Sequence, residues 1–224
     1  MSKPFSWSFS RLKNYRTCPK RHWHVDLVRD FKEEESEQLK WGNELHKAMA
    51  NRIEKGKPLP TAMKRFERWP SMVTQIENVT VKVENKLAMT KDFEACGFFD
   101  NDAWFRGVID VLALVSDRAA LTIDWKTGKI NPEYEQLALS AQLLFSHYPK
   151  LEYVETIYVW FGHDTETMQR FHRSEMLETW NRLWPTIKEM DDAWRTTTYP
   201  PKPSGLCKNY CPVTSCPYHG KGSH

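Results

Sequence analysis

Two aspartates, a lysine, a histidine and a set of cysteines carry the capacity for chemistry in this chain. Asp110 interrupts the apolar run of residues 103–115, and an isolated charge on such a run is costly to bury without a partner. Asp124 and Lys126 stand two apart in residues 120–126, so on a strand they share a face. If the polar turn of residues 116–119 folds these runs back on each other, Asp110 comes within about one residue of register with Asp124. Like charges across a ladder repel, so the pair calls for a cation, and Mg²⁺ or Mn²⁺ suits carboxylate oxygens. Such an ion activates water, while the Lys126 ammonium stabilises charge developing on a phosphate.

The cysteines pose a second problem. Cys207, Cys211 and Cys216 fall within ten positions, spaced so that their thiolates can meet at one metal, although more loosely than the familiar zinc pattern. Cys18 is the candidate fourth ligand and His219 a fallback, whereas Cys96 has no such neighbours and reads as a small core residue.

The elements that must position these groups can be read from pattern. With 224 residues, 40% of them hydrophobic, the chain can bury a sizeable core. The formal charge of +3 is too small to imply a nucleic-acid partner, so any basic surface must be local, and residues 11–32 hold the densest basic run. The opening residues lack a leader pattern and no stretch is apolar enough to span a bilayer, so a cytosolic protein with reduced cysteines and no membrane partner is expected. Ser10 is positioned to cap a helix starting at Arg11, and Cys18-Pro19 breaks it, which makes residues 1–35 a basic helical hairpin. Residues 36–54 repeat at helical spacing, place His46 inward and stop at Gly56. Strands are expected at 79–83, 103–115, 120–126 and 151–161, with 168–172 pairing back. Asn131-Pro132 should start a helix that Pro149 closes, and Ser174 a longer one kinked at Pro185. Residues 199–224 form a proline-stiffened strap carrying the cysteines.

In order, Gly42-Asn-Glu-Leu-His46, Gly107-Val-Ile-Asp110, Asp124-Trp-Lys126-Thr-Gly128 and Gln136-Leu-Ala-Leu-Ser140 resemble the RecB-like branch of the PD-(D/E)XK nuclease superfamily. The resemblance implies an α/β domain over residues 1–224, with a mixed central sheet flanked by helices. It implies that His46, Asp110 and Asp124 bind the metal with the Trp125 carbonyl, that Lys126 is catalytic, and that Gln136 helps place substrate, Gln142 being the weaker candidate. The family usually has a tyrosine where Ser140 stands.

Cys18-Pro19 and the C-terminal cysteines further resemble the iron–sulfur subset, which includes CRISPR-associated RecB-like exonucleases and AddB-type subunits. That implies a [4Fe-4S] cluster on Cys18, Cys207, Cys211 and Cys216, with Zn²⁺ as the alternative. The expected activity is exonucleolytic hydrolysis of DNA, on single strands or duplex ends, in recombination, repair or phage DNA processing, with a helicase or recombination protein as partner. A non-catalytic DNA-binding subunit and a nuclease acting on RNA are the alternatives. Tyr15, Trp23 and Phe31 are candidates for stacking on bases.

Overall fold

Ser36 opens a long helix by accepting the Leu39 N–H at 3.2 Å, and Gly56 closes it with φ 64°, a conformation open to glycine without cost. In the computed structural model, which describes residues 4–33, 35–77 and 79–221, this is α3 (Glu37–Lys55). The expected 1–35 hairpin and 199–224 strap therefore lie partly outside the described residues. The chain divides into two compact units, one holding residues 36–179 and the other residues 5–35 and 180–224.

The first unit is built on a six-stranded sheet ordered β2-β1-β3-β4-β5-β6. Its strands are β1 (Thr80–Met89), β2 (Ala95–Cys96), β3 (Phe105–Leu114), β4 (Ala119–Lys126), β5 (Tyr153–Trp160) and β6 (Thr165–His172). Among the described residues only β4 and β5 pair in parallel, and α5 (Tyr134–His147) makes the crossover that such a pair requires. Leu45 and Met49 of α3 join Val111, Ile123, Trp125 and Val159 in one core, together with Met63 and Phe66 of a 3-10 turn and Trp69 and Val73 of α4 (Arg68–Thr74). The next positions along β4, Asp124 and Lys126, turn away from that core toward α5.

Several boundaries differ from expectation. β1 continues to Met89 because Leu87, Ala88 and Met89 are all buried. α5 starts at Tyr134 rather than beside Asn131, and the side chain of Glu133 does not cap it. There the Glu133 carbonyl accepts the Gln136 N–H at 2.9 Å and lies 2.9 Å from the Tyr158 hydroxyl, a tertiary anchor that sets the first turn. Ser174 lies in a 3-10 turn (Arg173–Glu175), with Glu175 bonded to the His172 N–H, before α6 (Met176–Thr196) runs on through Pro185.

In the second unit, α1 (Phe9–Thr17) is capped by Ser8, not Ser10. Ser8 holds the extended backbone that the cap needs, and the two hydroxyls bond each other at 3.0 Å. Cys18 separates α1 from α2 (Pro19–His22), a π-helical turn (Trp23–Val28) follows, and the short α7 (Leu206–Asn209) lies in the C-terminal strap. Asp26 accepts both Asn14 and His22, tying the hairpin together. Tyr15 is buried with its hydroxyl on the Glu189 carbonyl, Trp23 stacks on Tyr199 at 4.7 Å, and Phe31 sits edge-on to His24. The base-stacking role expected of these rings is corrected for Tyr15, which is buried, while Trp23 is half-buried with one face on Tyr199. No helix among the described residues is long and apolar enough to cross a membrane.

Candidate metal centre and active site

Pairing of β3 with β4 ends at Val111↔Ile123, one step before Asp110 would face Asp124. Past that point the Asp110 carboxylate accepts the Trp125 N–H at 2.9 Å. The Trp125 carbonyl in turn accepts His46 Nε2 at 2.9 Å, and His46 Nδ1 lies 3.3 Å from Asp110 Oδ2. Gly42 permits this approach of α3, since a Cβ there would stand 3.3 Å from Thr127 Oγ1. Burial opposes charging of His46. The hydrogen bond and charge of Asp110, with Asp124 and the Trp125 carbonyl, outweigh it and raise the imidazole above its ordinary pKa.

Glu84 completes a group that the sequence reading missed. The β1–β3 ladder pairs Val83 with Val111 and Asn85 with Ile109 but skips the step between, where Glu84 and Asp110 face each other. Glu84 has φ 47°, a left-handed backbone that costs a non-glycine residue on the order of 1–2 kcal/mol. Ligand atoms of His46, Glu84 and Asp110 all lie within 4.8 Å of one another. Burial raises the Glu84 pKa and Asp110 adds to it, against His46 and Lys86. Nothing local marked Glu84, because it falls on the polar phase of an alternating strand.

On β4, Lys126 Nζ sits 2.7 Å from Asp124 Oδ2 and 3.1 Å from Gln136 Oε1, while Gln136 Nε2 donates to Asp124 Oδ1 at 2.7 Å. Tyr158, which the sequence reading also missed, places its hydroxyl 3.1 Å from Gln136 Oε1. Its phenol pKa is raised by burial and by Asp124 and Glu133. Burial pushes the Asp124 carboxyl up to about 6, against the pull of Lys126 and with the push of Asp110. Gln136 makes these bonds, whereas Gln142 is buried and makes none of them. Ser140 turns its hydroxyl back onto the Gln136 carbonyl at 3.1 Å. One imidazole and three carboxylates suit a hard divalent ion, with an ammonium beside them for phosphate charge.

In the second unit, Cys18, Cys207, Cys211 and Cys216 line one pocket, together with Arg21 and His219. The Cys18 sulfur lies 3.3 Å from the Lys202 N–H and the Cys207 sulfur 3.4 Å from the Ser204 N–H. Burial raises the Cys211 thiol pKa; the Val213 backbone opposes this, Cys207 adds to it, Arg21 opposes it and Cys18 adds to it. Cys96 lies apart on β2, opposite Ala88.

A search of curated proteins found no match. Among solved structures, SSO0001 is 14% identical, covering 97% of this chain and 89% of that one, with a TM-score of 0.47. A candidate exonuclease from Eubacterium rectale is 11% identical, covering 84% of this chain and 82% of that one, with a TM-score of 0.48. A family model matches residues 6–217, and by it this chain belongs to the PD-(D/E)XK nuclease superfamily.

Proposed function

We propose that the chain is a divalent-metal-dependent DNA nuclease, exonucleolytic on single strands or duplex ends. The observation that carries this reading is the convergence of His46, Glu84 and Asp110 within 4.8 Å, electrostatically coupled to Asp124. His46, Glu84, Asp110 and Asp124 are the residues that would hold Mg²⁺ or Mn²⁺, with the Trp125 carbonyl as a further oxygen. When bound, the ion supplies Lewis acidity and activates water. The protein's own part is to position. Asp110 holds the start of the catalytic segment through the Trp125 N–H, and Gln136 bridges Asp124 to Lys126 so that the ammonium stays beside the carboxylate. There it meets charge developing on a phosphate oxygen.

We infer that the four pocket cysteines hold a [4Fe-4S] cluster joining the chain's two ends. Support comes from their shared pocket and from the backbone N–H groups on two of the sulfurs, a feature that stabilises cluster thiolates. Zinc is the alternative, since a four-thiolate site suits either metal. Recombination, repair or phage DNA processing, alongside a helicase or recombination partner, is the setting that the family resemblance supports.

The deciding experiment is digestion of end-labelled single- and double-stranded DNA by anaerobically purified protein with Mg²⁺ or Mn²⁺, using Asp124→Asn as control. Metal-dependent shortening, absent from the control, is the expected result. A folded, cluster-loaded protein that leaves every DNA intact would reject it.

A further inference from the structure

Phe99 is 82% exposed, the most exposed large hydrophobic side chain among the described residues. It does not sit on a loose loop. The turn of residues 97–100 is closed by the Asp100 N–H on the Gly97 carbonyl at 3.0 Å and by the Asp100 carboxylate on the Gly97 N–H at 2.7 Å. A Cβ at position 97 would stand 2.7 Å from that carboxylate, so the closure depends on glycine. Arg106 of β3 clamps the turn from outside, Nε on the Phe98 carbonyl at 2.7 Å and Nη2 on the Asp100 carbonyl at 3.1 Å. Phe98 meets Phe99 edge-on at 5.1 Å. The protein thus fixes an apolar ring in water, which folding alone would not favour.

Lys86 connects this ring to the metal centre. Its ammonium lies 5.9 Å from the Phe98 ring and 5.8 Å from the Phe99 ring. On β1 it is two residues beyond Glu84, roughly 7 Å along the strand, and close enough for its charge to act on the Glu84 carboxyl. Exposed Val108 is its partner across the ladder. From the carboxylates outward, the surface therefore offers a cation and then two aromatic rings. This is the combination that binds single strands, a positive group for the backbone and a π-face for a base.

We propose that Phe99, held by the 97–100 turn and flanked by Lys86, is a base-stacking subsite for single-stranded nucleic acid leading away from the metal centre. It rests on the nuclease reading for the position of the scissile phosphate.

The test measures the Kd of fluorescein-labelled (dT)12 by anisotropy in EDTA, for wild type, Phe99→Ala and Phe99→Trp, and for (dT)12 with one abasic position moved along it. Phe99→Ala is expected to weaken binding roughly 5- to 150-fold and Phe99→Trp to retain it. One abasic position should cost wild type the same factor and Phe99→Ala nothing further. Equal binding by Phe99→Ala, or no abasic position that couples to the ring, overturns the proposal. So does an effect of Phe99→Ala confined to oligomeric state in sedimentation, which would assign the ring to a protein interface. Because this readout needs no cleavage, failure of the nuclease reading and failure of the subsite give different results.

Discussion

Asp110 holds the backbone N–H of Trp125 at the step where its strand stops pairing with β4, so one carboxylate both replaces a ladder bond and faces His46. The two roles separate by substitution. In Asp110→Asn the amide oxygen still accepts the N–H, so the variant should melt near wild type while cleavage falls on the order of 100-fold or more. Asp110→Ala leaves that N–H without its acceptor and should lose a further ~1–3 kcal/mol of stability in urea unfolding. Equal stability of the two variants would contradict the structural role.

Glu84 is held at φ 47°, so Glu84→Gly removes a ligand and a backbone penalty together. Calorimetric titration should show Mn²⁺ affinity down by about tenfold or more, while unfolding free energy stays level or rises by up to ~1 kcal/mol. Unchanged Mn²⁺ affinity would remove Glu84 from the site.

The Asp124 carboxyl has its pKa raised from 3.8 to about 6, so the fold favours its protonated form. That contribution is fully present below the unfolded value and lost as pH rises through about 6. In chelator at pH 8, Asp124→Asn should therefore be more stable than wild type, and the difference should vanish below pH 4. Mn²⁺ binding should release more protons at pH 6 than at pH 8, read from titrations in buffers of different ionisation enthalpy.

Lys126 pairs with the Asp124 oxygen that an ion would use. Lys126→Ala should abolish cleavage with the fold intact, and should leave Mn²⁺ affinity equal or higher because a competing cation is gone. Full activity in this variant would sink the assigned mechanism.

For the cysteines, anaerobic protein should contain iron and acid-labile sulfide. Cys211→Ser should lose both and melt earlier, since a structural metal contributes folding free energy. Zinc in place of iron would correct the cluster, and a metal-free, thermally unchanged variant would show that the cysteines hold nothing.

Local chemistry determined much of this protein. Helical spacing with Ser36 and Gly56 as stops delimited α3 and placed His46 on it, apolar runs marked β3, β4 and β5, and period-two alternation put Asp124 and Lys126 on one face. Asp110 stood out as a charge within an apolar run, while Gln136, an ordinary polar residue on a helix, came into view only through the ordered motifs of the family resemblance. Glu84 and Tyr158 were invisible on the same grounds. One joins the site through β1–β3 register and the other through parallel pairing of β4 with β5, where Tyr158 lies beside Asp124. Register between strands distant in sequence is set by packing of the whole sheet, and a charged residue on the polar phase of a strand looks the same whether it faces water or a metal. Likewise the start of α5 followed the Tyr158 and Gln136 bonds to the Glu133 carbonyl rather than the local Asn-Pro signal. Tertiary hydrogen bonds, which no window of sequence contains, decided which neighbours each candidate residue acquired.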